Sequence, residues 1–92
     1  MIIRILGEGQ FTVPDVEVDR LNELDAQVEK AIAASDDAAF GPALAALLAH
    51  VRATGTPVPD AELVPSEALL PPSDAVLAEA RDLLRDDGLI PG

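Results

Sequence analysis

The stretch Ile2-Ile3-Arg4-Ile5-Leu6-Gly7-Glu8-Gly9-Gln10-Phe11-Thr12-Val13 decides the fold class. Two runs rich in β-branched and aromatic residues flank a Gly-Glu-Gly turn, a pattern that predicts a β-hairpin. Its register can be tested by asking which residues each loop length sets opposite one another. A two-residue loop pairs Ile5 with Thr12 and Arg4 with Val13, mixing the two faces. A three-residue loop pairs Ile5 with Phe11, Ile3 with Val13 and Arg4 with Thr12. That register gives one apolar face and one mostly polar face, with Gly9 available for the left-handed position. It is the expected one, and Pro14 ends the second strand.

Beyond the hairpin the period changes. From about Glu17, Leu21, Leu24, Val28 and Ile32 recur at helical spacing, with Arg20, Asn22, Glu23, Gln27 and Glu29 on the other side. Asp15 or Asp19 is the expected cap. Ser35-Asp36-Asp37 breaks this helix and caps a second one, whose apolar face is Phe40, Leu44, Leu47, Leu48 and Val51. So short a break implies an antiparallel helical hairpin. Gly41-Pro42 requires either that Pro42 sit in the first turn or that the helix bend there. Gly55 ends the second helix, and Pro57 prevents its resumption.

Six of the eight prolines lie between Pro57 and Pro91, so that region is neither one helix nor a central strand. Leu63-Val64 and Leu69-Leu70 are the candidates for a short edge strand. Ser73 or Asp74 is expected to cap a third helix running to about Asp86. Gly88 suits the left-handed position after its end, and Leu84 and Leu89 would make the hydrophobic contact of that cap. Residues 1–92 thus read as one α+β domain: an N-terminal hairpin, an antiparallel helical hairpin, a Pro-rich crossover and a C-terminal helix.

A chain of 92 residues has a thin core, and alanine supplies much of its 49% hydrophobic content. The absence of cysteine excludes disulfides and thiolate chemistry. A net charge of −11 argues against nucleic acid and against an anionic lipid surface. It favours instead a basic patch on another protein. With no apolar run near membrane-spanning length, and Met1 leading straight into a strand, neither a span nor a signal peptide is expected. The expected location is the cytoplasm.

Candidate chemistry is sparse. His50 is the lone histidine, off the apolar stripe, and reads as a surface residue without a second metal ligand. Asp36-Asp37 reads as a helix cap and Asp60 with Glu62 as a solvated turn; no carboxylate pair is placed for acid–base work. Gly7-Glu8-Gly9 precedes a strand and lacks the Lys-Ser/Thr of a phosphate loop. Ser66 and Ser73 have no histidine nearby in sequence. No catalytic, metal or cofactor site is expected. Asp86 and Asp87 stand at the C-terminal end of the third helix, where negative charge opposes the macrodipole. They and the adjacent Leu89 and Ile90 are candidate partner-binding residues, as are Leu63, Val64 and Pro65 in the crossover.

Several segments together resemble the PspA-associated (PspAA) proteins. They are Met1-Ile2-Ile3-Arg4-Ile5-Leu6-Gly7-Glu8-Gly9-Gln10-Phe11, Gly55-Thr56-Pro57, Asp60-Ala61-Glu62-Leu63-Val64-Pro65-Ser66, Leu70-Pro71-Pro72 and Gly88-Leu89-Ile90-Pro91-Gly92. The resemblance keeps segment order over nearly the whole chain; Gly41-Pro42 is its departure. It implies a small cytoplasmic accessory or regulatory protein of the phage-shock envelope stress response, a family found especially in actinobacteria. The implied partner is a PspA-like coiled-coil protein or another stress-response component, and no enzyme activity is implied. The competing expectation is a self-assembling homodimer, because the first strand is an open edge unless the crossover covers it.

Overall fold

In the computed structural model, residues 1–59, 61–62 and 64–83 are described. Strands β1 (Ile2–Ile5) and β2 (Gly9–Thr12) form the expected antiparallel hairpin. The register differs by two residues from the expected one: Ile3 faces Phe11, Arg4 faces Gln10 and Ile5 faces Gly9. The loop still has three residues, now Leu6-Gly7-Glu8, closed by a bond from the Glu8 N–H to the Ile5 carbonyl at 3.0 Å. Both Gly7 and Gly9 have positive φ, at 86° and 110°. A two-residue slip leaves every side chain on its expected face. Ile3, Ile5 and Val13 accordingly point into the core, while Arg4 and Gln10 share the opposite face.

After Pro14 the chain makes a 3-10 turn, Asp15–Glu17, before α1 (Val18–Ala33). Neither Asp15 nor Asp19 caps this helix. The Glu17 N–H is already bonded to the Pro14 carbonyl at 2.9 Å, and Asp19 falls inside the first helical turn. Helix α2 (Asp37–Thr54) is capped as expected by Asp36, whose Oδ1 accepts from the Ala39 N–H at 3.1 Å. The helix continues through Pro42. Proline there withholds one helical N–H on a solvent-facing turn, where water can satisfy the orphaned carbonyl.

The α1–α2 connection is a Schellman motif. The Asp36 N–H bonds to the Ala31 carbonyl at 2.9 Å and the Ser35 N–H to Ile32 at 3.0 Å. Ser35 occupies the left-handed position, with φ 51°, where glycine is the usual occupant. Gly55 ends α2 for another reason. A Cβ there would lie 2.6 Å from the Val51 carbonyl oxygen and 3.0 Å from the Phe11 Cβ. Only glycine lets the helix end pass this close to β2.

Beyond Gly55 the chain adds β3 (Thr56–Pro57) antiparallel to β2, and later β4 (Ala68–Leu70) parallel to β1. The four-stranded mixed sheet has the order β3-β2-β1-β4. Leu69-Leu70 therefore supplies the expected edge strand, and β1 is paired on both sides. Helix α3 (Leu77–Leu83) begins later than the Ser73 or Asp74 cap implied. The Ala75 N–H is taken by the Pro72 carbonyl at 3.0 Å, which holds Ser73 and Asp74 in a turn ahead of the helix. The expected end near Asp86, the Gly88 cap and the Leu84–Leu89 contact lie outside the described residues.

One core unites these elements. Every apolar position read from the helical spacing of α1 and α2 is buried, alongside Ile3, Ile5, Val13, Ala68, Leu70, Leu77 and Ala80. Each large aliphatic side chain contributes about 1.5–3 kcal/mol by full burial.

Candidate functional site

Gln10 organises the face of the sheet away from the helices. Directly opposite Arg4 on β1, it is nevertheless only 8% exposed. Its Nε2 donates to the Val64 carbonyl at 2.8 Å and to the Ser66 Oγ at 2.7 Å. Its own backbone carbonyl accepts from the Val58 N–H at 2.9 Å. One residue of β2 thereby holds both ends of the Pro-rich crossover over the sheet. The crossover is further tightened by a bond from the Glu62 N–H to the Pro59 carbonyl at 2.9 Å.

Between crossover and sheet lies an open groove of about 450 Å³, lined by Arg4, Gly9, Gln10, Val58, Pro59, Glu62 and Val64. Its walls mix a guanidinium, a carboxylate, an amide and aliphatic surface. Most of the few cations elsewhere are committed. Arg20 pairs with Glu23 at 2.9 Å, and Arg52 forms a two-pronged pair with Glu8, 2.7 Å from Nε to Oε1. Arg81 donates to the Ile32 carbonyl and to Ser35. Arg4 makes no hydrogen bond or ion pair among the described residues. The hydrogen bond from Arg52 holds the Glu8 carboxyl below its usual range, and the pair raises Arg52 in turn.

Of the candidate binding residues read from sequence, the structure places Val64 on the groove wall and Pro65 in the exposed crossover. Leu63, Asp86, Asp87, Leu89 and Ile90 lie outside the described residues. Arg4 and Gln10 went unnoticed as site residues, although the two-faced register already set both on the polar side of the hairpin. His50 is not a plain surface residue. Its Nε2 lies 2.8 Å from the Glu17 Oε2, joining the C-terminal half of α2 to the start of α1. The antiparallel helical hairpin was the signal that could have paired them.

A second, smaller groove of about 290 Å³ runs between α1 and α2, with Ala31, Ala34, Ala39 and Ala43 among Gln27, Lys30 and Asp36. Among the described residues, no group of three or more His, Asp or Glu is placed to hold a metal ion. Nor is any helix among them long and apolar enough to cross a membrane.

These features define a small α+β domain in which a mixed sheet carries a helical hairpin on one face and a strapped groove on the other. The chain belongs to the family described as PspA-associated protein, whose model matches residues 1–92, the whole sequence. No curated protein and no solved structure matches it.

Proposed function

We propose that this protein is a non-enzymatic accessory or regulatory component of a PspA-type phage-shock response, acting in the cytoplasm by binding a PspA-like coiled-coil protein. The groove beneath the crossover carries this reading. Gln10 ties Val58, Val64 and Ser66 of the crossover to β2, so a partner meets a preorganised surface there and loses less ordering entropy on docking. The family match supplies the partner class. The net charge of −11 steers association toward a basic surface, and the groove's aliphatic walls add contact area.

Light scattering after size exclusion tests this, with the protein alone and mixed with the PspA homologue of its own organism. A mixed species that weakens as salt rises is expected. No mixed species at low or physiological salt would sink the proposal. Self-assembly is the competing reading, and the sheet offers it little. The edge that suggested it, that of β1, is taken by β4, and the outer strands span two and three residues.

A further inference from the structure

We propose that the groove under the crossover takes an acidic residue from an extended segment of the partner. Arg4 would bind its carboxylate, and the Oε1 of Gln10 would accept a backbone N–H of the same segment. Arg4 and Gln10 are directly opposed across β1 and β2, so their side chains leave the same face of the sheet as neighbours. Arg4 is exposed and uncommitted among the described residues, in a chain with 17 acidic and 6 basic residues.

Gln10 spends its amide nitrogen on Val64 and Ser66, while its Oε1 accepts no hydrogen bond among the described residues. Gln10 itself lines the groove, beside Arg4. The site therefore offers a planar donor fork beside an acceptor, which matches a carboxylate and an amide N–H in one residue. A bare carboxylate has no N–H for Gln10 and makes only the Arg4 contact against the repulsion of the acidic surface. A carboxylate carried beside a peptide N–H makes both contacts at once, and the rest of the partner's interface adds to them. Glu62, on the crossover wall, favours a basic or neutral residue next to the acid. Long-range charge thus draws a basic surface, and Arg4 then selects one acidic position within it.

The identity of the partner rests on the function proposed above; the chemistry of the groove does not. The site is tested by titrating the ¹⁵N-labelled protein with N-acetylglutamate N-methylamide, its glutamine analogue, and acetate. Saturable shifts at the Gly9, Gln10 and Val58 amides are expected with the glutamate probe alone, abolished in Arg4→Gln and strengthened in Glu62→Gln. Equal shifts with the glutamine analogue, an equal response to acetate, or no shift would each overturn the proposal. Arg4 is exposed, so Arg4→Gln should keep the wild-type amide spectrum away from the groove. Against the PspA homologue, Arg4→Gln should weaken binding about tenfold, the scale of one charge-assisted contact. Undiminished binding would overturn the site and leave the partner standing. If the homologue is ignored but the glutamate probe binds, the site stands and the partner reading falls.

Discussion

The guanidinium of Arg81 closes the C-terminal end of α1, with Nη2 donating to the Ile32 carbonyl at 2.8 Å and to the Ser35 Oγ at 3.0 Å. A helix end carries partial negative charge, and a cation from α3 answers it with a second bond to Ile32, whose carbonyl already accepts from the Ser35 N–H. Arg81→Met keeps much of the aliphatic stem but loses these bonds. It should cost about 1 kcal/mol in urea denaturation. An unchanged midpoint would mean that water serves Ile32 as well.

Gly55→Ala introduces a Cβ where the Val51 carbonyl oxygen would be 2.6 Å away. The backbone must shift, and β2 blocks the shift through Phe11. A loss of about 1–3 kcal/mol is expected, as for overpacking. Thermal unfolding of this variant at wild-type stability would show that the α2–β3 corner is looser than described.

Gln10→Leu removes the donor that ties Val64 and Ser66 to β2. The expected cost is about 1–2 kcal/mol, and its consequence is local. Limited proteolysis should cut the crossover near residues 58–66 in the variant at a protease level that spares the wild type. Equal cutting would assign the strapping to other contacts.

The Glu8–Arg52 pair gives a pH dependence of known sign. Glu8 titrates below the ordinary glutamate value of 4.5 in the folded protein, chiefly through the hydrogen bond from Arg52. Its contribution is therefore present above the unfolded value and lost as pH falls through the folded one. Glu8→Gln should be less stable than wild type near neutrality, by a small margin for so exposed a pair. The difference should shrink as pH drops below 4.5, and a margin that grew on acidification would refute the assignment.

Sequence reading reached as far as local periodicity carries. The buried stripe from Leu21 to Val51 was legible because helical spacing repeats every turn. Hairpin faces were legible too, but the register was not. Pairing Ile5 with Phe11 or with Gly9 buries the same side chains, so only the turn decides, and glycine stands at both candidate positions. The start of α3 was misplaced because Ser73 and Asp74 suit a turn as well as a cap. The link from Gln10 to Ser66 spans 56 positions and leaves no local trace. The groove was therefore invisible, although Val64 on its wall had been marked.

The parallel pairing of β1 with β4 sets an order of events. Residues 2–5 are made before their neighbours at 68–70, which arrive only after both helices and the crossover. The helical hairpin and the β1–β2 turn need only short loops to close, whereas β4 must close one of more than sixty residues. During synthesis β1 is thus left with a bare edge until residues 68–70 have emerged. Leu70, fully buried but late to pair, should behave accordingly: Leu70→Ala should accelerate unfolding far more than it slows folding. A folding limb slowed as much as unfolding is quickened would place β4 in the nucleus.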